Sequence, residues 1–165
     1  MVLGYASASV LPGNGDGTFQ PALDSPVHAG LVPIAVTSGD FDADGRRDLA
    51  VANESGAVSV LLGTGTGTFQ AAVDYAGLGR SPSSITSGDF DADGVVDLAV
   101  ANVRTSNVSV LRGNGDGTFR EGLTYPAGPD SNAVTTGDFD GDGKLDLALA
   151  NWGGGVSVLV NACWP

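Results

Sequence analysis

The chain of 165 residues contains one cysteine, one histidine and one methionine, and only 16% of its residues are charged. The single Cys163 excludes an intrachain disulfide framework. The single His28 leaves no zinc site or Ser-His-Asp set to assemble around it. The chain also falls short of the combined Ala, Glu, Lys, Arg and Leu content that a helical bundle or coiled coil requires, with only two Glu and one Lys. No apolar run approaches the ~20 residues of a membrane-spanning helix. The opening Met1, Val2, Leu3 and Gly4 lack the charged start of a signal peptide. Positive charge is scarce as well, with 7 Lys and Arg against 19 Asp and Glu and a net charge of −12. That balance makes nucleic acid a poor partner. Disorder is excluded by an apolar content of 42% and a mean hydropathy of +0.12, sufficient to bury a core.

What the chain does have is glycine, 26 residues of it, together with many Thr, Ser and Val. This composition describes an all-β chain rich in turns. The length suits a single domain spanning 1–165.

The acids are not spread evenly. Twelve fall in three groups: Asp40, Asp42, Asp44 and Asp48; Asp89, Asp91, Asp93 and Asp97; Asp138, Asp140, Asp142 and Asp146. The other acids balance the basic residues, so the whole excess charge lies in these clusters. The clusters mark an internal repeat. GDFDADGRRDLAVAN at Gly39 returns as GDFDADGVVDLAVAN at Gly88 and as GDFDGDGKLDLALAN at Gly137. A second motif, GNGDGTF at Gly13, returns as GTGTGTF at Gly63 and unchanged at Gly113. A strand-like run precedes each copy, at 8–11, 58–61 and 108–111, and a fourth run occupies 156–159 without a following GTF.

Each repeat reads as four short strands, at 34–37, 49–52, 58–62 and 68–75 in the copy that shows them most clearly. Alternation sets Leu49 and Val51 on one face and the small Ala50 and Ala52 on the other, where a neighbouring sheet can approach closely. Four strands in about 49 residues, repeated, are the signature of β-propeller blades. The repeat units are about 33–75, 82–125 and 132–160, the last lacking an outer strand while an unmatched strand stands at 18–24. Three blades are fewer than the roughly four to eight that close a ring. The expected architecture is therefore a half-propeller that closes as a six-bladed homodimer, each copy's 18–24 strand pairing with 156–160 of the other. The alternative is a fragment flanked by neighbouring blades of a longer chain.

The chemistry resides in D-x-D-x-D-G-x-x-D. A hard divalent cation takes six to eight oxygens, and carboxylates at positions 1, 3, 5 and 9 can supply them from one tight loop. Gly45, Gly94 and Gly143 permit the sharp turn. The main-chain carbonyls of Arg46, Val95 and Lys144 can serve at position 7, where side-chain identity varies freely. An EF-hand would place Glu at position 12, but Val51, Val100 and Leu149 stand there. Asp48, Asp97 and Asp146 must close the shell instead. Acidic turns without metal are the plainer reading, yet carboxylates ~4 Å apart repel by about 1 kcal/mol per pair even in water. Three copies of four such groups favour calcium, at three sites. Magnesium demands stricter geometry.

The segments GDFDADG…DLAVAN and VSVLLGxGxGTF resemble the FG-GAP and VCBS-type repeats, the family that includes the integrin α-subunit propeller. The resemblance covers residues from about 7 to 160. It implies a four-stranded blade per repeat, with the aspartate loop joining the first two strands and binding calcium through the twelve aspartates. The sequence departs from the family where Ala52-Asn53, Ala101-Asn102 and Ala150-Asn151 replace its Gly-Ala-Pro signature, so integrin-like partner recognition does not carry over.

GNGDGTF resembles a phosphate loop only superficially, because no Lys-Ser/Thr follows and no helix begins. It reads as a hairpin turn. Phe19, Phe69 and Phe119 read as blade-packing residues, and Trp152 as a buried filler in preference to a sugar-stacking platform. With its acids spent as ligands and no base or nucleophile recurring beside them, the chain reads as a non-enzymatic scaffold for extracellular or cell-surface recognition and adhesion. Alternatives are a lectin with sugars held between blades, or a non-catalytic domain of a larger secreted enzyme.

Overall fold

The computed structural model describes residues 7–26, 32–76, 79–120 and 122–162. His28 and Cys163 lie outside the described residues. Thirteen strands and no helix are found among those described. The chain opens with β1 (Ser7–Val10) and β2 (Leu23–Pro26), which pair as an antiparallel hairpin. Blade 1 comprises β3 (Pro33–Gly39), β4 (Asp48–Asn53), β5 (Val58–Leu61) and β6 (Val73–Tyr75) in sequential antiparallel order. Blade 2 repeats it with β7 (Pro82–Gly88), β8 (Asp97–Asn102), β9 (Asn107–Leu111) and β10 (Leu123–Pro126). Blade 3 has three strands, β11 (Ser131–Gly137), β12 (Asp146–Asn151) and β13 (Val156–Leu159).

The fourth strand is shorter than its sequence suggests. In place of a continuous strand over 68–75, the GTGTGTF segment forms a turn closed by a Gly63–Phe69 bridge, and pairing resumes at Val73. The same happens at Gly13–Phe19, so the strand read at 18–24 begins only at Leu23. Gly15 and Gly17 adopt φ of 84° and 90° in that turn, a left-handed backbone that interrupts a strand.

The alternation places side chains as the sequence indicates. Ala50, Ala52, Val58 and Val60 face blade 2, meeting Ile85, Leu98, Val100 and Leu111 in one core cluster. Val51 and Leu61 face the other way, onto Ala8 of the N-terminal hairpin. Blade 2 repeats the pattern with Ala99, Ala101 and Val108 against Val134, Leu147 and Leu149 of blade 3. The first strands β3, β7 and β11 lie side by side. Hydroxyls stitch them together: Ser87 Oγ donates to Ser38 O at 3.2 Å, and Val134 N donates to Ser84 Oγ at 3.2 Å. Small faces and serine-lined inner strands therefore let the blades stack closely, with each aspartate loop at the same end of its blade.

Candidate metal centre: three aspartate loops

Each loop connects the first strand of a blade to the second, and position 9 is the first residue of the second strand. That placement buries Asp48, Asp97 and Asp146 to 1% exposure or less. Burial of a carboxylate requires partners, and the fold supplies two backbone amides to each. Asp48 accepts from Phe41 N and Gly63 N, both at 2.7 Å. Asp97 accepts from Phe90 N and Gly113 N at 2.9 Å, and Asp146 from Phe139 N at 2.9 Å and Asn161 N at 2.8 Å. One aspartate thus ties the loop between strands 1 and 2 to the turn leaving strand 3. Gly63 and Gly113 are required at this junction, since a Cβ would collide with the carbonyls of Arg47 and Val96.

Position 1 closes the loop on itself. Asp40 accepts from Asp44 N at 3.1 Å and Gly45 N at 2.9 Å, and Asp89 from Asp93 N and Gly94 N. Asp138 accepts from Gly141 N and Gly143 N. The structure brings positions 1, 3 and 9 together: Asp40, Asp42 and Asp48; Asp89, Asp91 and Asp97; Asp138, Asp140 and Asp146 each offer oxygens lying within 4.8 Å of one another. Three hard oxygens at such separations could hold a metal ion.

Position 5 is placed differently. Asp44, Asp93 and Asp142 are not in those groups; each accepts from the amide two residues on, at Arg46, Val95 and Lys144, with distances of 2.8, 2.8 and 2.9 Å. Asp44 also pairs with the Arg46 side chain at 2.9 Å and Asp142 with Lys144 Nζ at 2.6 Å. The turn at positions 5 to 7 is therefore formed, with Arg46, Val95 and Lys144 wrapped round the position-5 carboxylate. Position 4, where alanine carries no cue to it, is left-handed throughout: Ala43 at φ 58°, Ala92 at 59° and Gly141 at 83°.

Charge crowding leaves its mark. Loss of solvent, then repulsion from Asp48 and Asp44, raises the Asp42 carboxyl above the usual range. Burial, followed by the charges of Asp91 and Asp93, raises Asp97 despite its two amide donors. Asp142 is lowered by its hydrogen bonds with Lys144. Neighbouring anions that hold protons above their normal range gain most from a cation among them.

The glycine-rich turns are a separate device. Asp16 and Asp116 cap the hydroxyls and amides of Thr18 and Thr118, which lowers both carboxyls. The middle copy substitutes a hydroxyl cluster of Thr64, Thr66 and Thr68, so the turn needs local hydrogen bonding and not an acid. The repeated asparagine is structural too: Asn53, Asn102 and Asn151 donate through Nδ2 to Ser59, Ser109 and Ser157. Trp152 is 80% exposed, correcting the reading of it as a buried filler. Its place beside Gly153, Gly154 and Gly155 in the β12–β13 turn gives the indole nothing to pack under. The repeated phenylalanines also diverge: Phe119 is buried, Phe69 half-buried and Phe19 exposed.

These blades, with an aspartate loop at the first turn of each, define the β-propeller class. The profile of the FG-GAP-like repeat matches residues 40–100 and 89–149, and the chain belongs to that family. Among solved structures it is similar to BBS1N in complex with ARL6DN, in a form soaked with lead, at 19% identity and a TM-score of 0.58. That match covers 82% of this chain and 41% of the other. It is also similar to the Tc holotoxin pore of Photorhabdus luminescens at 19% identity and a TM-score of 0.57, covering 95% of this chain and 8% of that one. The chain thus spans less than half the length of either. No curated protein sequence matches it. Among the described residues no helix is long and apolar enough to cross a membrane.

Proposed function

We propose that this chain is a calcium-binding, non-enzymatic propeller module serving as an extracellular recognition or adhesion scaffold. The observation that carries the reading is the convergence of three carboxylates in each of three equivalent loops. Asp40, Asp42 and Asp48 would hold one ion, with Asp44 and the Arg46 carbonyl completing its shell. The corresponding residues of the other loops would hold the second and third. A bound cation would neutralise charge that the loop otherwise holds by amide donation, and so would rigidify the end of each blade. Recognition would then fall to turns presented by a stiff frame. The exposed Trp152 favours a second reading, a sugar-binding module, since a solvent-facing indole can stack on a pyranose face.

Thermal melting with calcium and then with chelator tests the first reading. At a calcium concentration 100-fold above Kd, each occupied site adds about 2.7 kcal/mol. At about 2–4 °C per kcal/mol for a chain of this size, even one site is readily seen. An unchanged midpoint would contradict the proposal. Glycan-array binding lost in Trp152→Ala would favour the second reading.

A further inference from the structure

An aromatic cluster centred on Phe119 joins blades 1 and 2. Phe119, in the turn after β9, is 6% exposed and sits edge-on to Phe41 at 5.5 Å and to Tyr75 at 5.7 Å. Its amide donates to Tyr75 Oη at 3.2 Å, and Gly117 N donates to Phe41 O at 2.9 Å.

Between blades 2 and 3 the corresponding place is a groove of about 780 Å³ lined by Phe90, Val110, Leu123, Tyr125, Leu147 and Leu159. Phe90 and Tyr125 are the repeat equivalents of Phe41 and Tyr75, but no phenylalanine stands between them among the described residues. After β13 the chain reads Val160, Asn161, Ala162 where the other blades have a glycine-rich turn. The Asn161 side chain donates to Phe90 O, taking the part that Gly117 N plays at the closed seam.

The chain carries an unused copy of the missing piece. Residues 13–19 form the same turn, closed by the Gly13–Phe19 bridge, and present Phe19 at 65% exposure ahead of β2. β1, to which β2 is paired, matches β13 in sequence pattern and register. Ser9 Oγ donates to Asp24 Oδ1 at 2.6 Å, as Ser59 Oγ does to Asp74 Oδ1 at 2.6 Å. Ser157 occupies the same register on β13, opposite Leu149 as Ser59 is opposite Val51. Beyond the groove, Phe139, Val156 and Val158 are exposed where their blade 1 equivalents Phe41, Val58 and Val60 are buried.

We propose that a second copy of this chain fills the groove, its Phe19 entering between Phe90 and Tyr125 and its β2 exchanging β1 for β13. The exchange is reciprocal about a twofold axis. It completes the third blade of each copy, removes its open edge, and lays the exposed valines of β13 on the blade 1 face that β1 now covers. Two three-bladed units then make a ring of six, within the range that closes.

Sedimentation equilibrium of the full chain in calcium at micromolar concentration should give twice the chain mass of 16.4 kDa. Phe19→Ala should weaken the dimer at least about tenfold, as loss of a buried aromatic anchor does, with its far-ultraviolet spectrum unchanged. A photoreactive phenylalanine analogue at position 19 should crosslink to peptides bearing Phe90 or Tyr125 of an isotope-labelled second copy. A monomer, which would leave the groove to a strand of some other polypeptide, overturns the proposal. A dimer indifferent to Phe19→Ala, or one whose crosslinks fall elsewhere, does so equally.

Discussion

Replacing Asp97 by Asn preserves shape while removing charge and one of two acceptor oxygens. In the parent chain the carboxylate takes Phe90 N on Oδ2 and Gly113 N on Oδ1, each at 2.9 Å, and is 1% exposed. The amide can satisfy only one of these donors and must turn its own NH2 towards the other. Losing a buried hydrogen bond to a charged group costs about 1.5–3 kcal/mol. Relief of repulsion from Asp91 and Asp93 offsets about 1 kcal/mol of this. The net expectation in chelator is a loss of about 0.5–2 kcal/mol, or about 1–8 °C in Tm. In calcium the variant also forfeits one ligand, so the gap to the parent should widen by up to the ~2.7 kcal/mol that a site at 100-fold saturation supplies. Scanning calorimetry of both proteins in both conditions reads each quantity. A variant that melts with the parent in chelator would refute the structural role of position 9. An equal gap in both conditions would refute its role as a ligand.

Ala92 holds φ at 59° where the third loop has Gly141. Left-handed backbone costs a side-chain-bearing residue about 1–2 kcal/mol, and glycine's own entropy cost is about 0.5–1 kcal/mol, so Ala92→Gly should stabilise by about 0.5–1 kcal/mol in denaturant titration. The raised carboxyls of Asp42 and Asp97 make the folded, metal-free chain bind more protons than the unfolded chain just above the ordinary value of 3.8. Their contribution to metal-free stability should therefore fall as pH rises through that window. Calcium affinity, which needs the ionised forms, should weaken as pH falls through it; calorimetric titration across that pH range checks the sign.

Much of this was legible because the repeat supplied internal controls. The alternation in Leu49, Ala50, Val51 and Ala52 gave both faces of a blade, and a 49-residue period gave the blade itself. The gathering of carboxylates in one loop was legible from acid spacing alone. Less visible was how the carboxylates divide their work. Nothing in the spacing indicates that Asp48 spends both oxygens on amides seven and fifteen residues away, because those contacts arise from the docking of two turns. Position 4 escaped notice because alanine gives no cue for a left-handed backbone; Gly141, alone among the three loops, carried the signal. Trp152 was misplaced for a related reason. Its exposure depends on what lies over a turn, and side-chain size says nothing about that. Phe19, Phe69 and Phe119 share one motif yet differ in burial, since each packs on the preceding blade and only Phe119 has a complete one.

The number of calcium ions bound per chain tests the central claim most directly. Equilibrium dialysis at saturating calcium should count three per chain in the parent, at affinities of order 10⁻⁴–10⁻³ M or somewhat tighter, and two in Asp93→Ala. No saturable binding, or an unchanged count in the variant, would contradict the account.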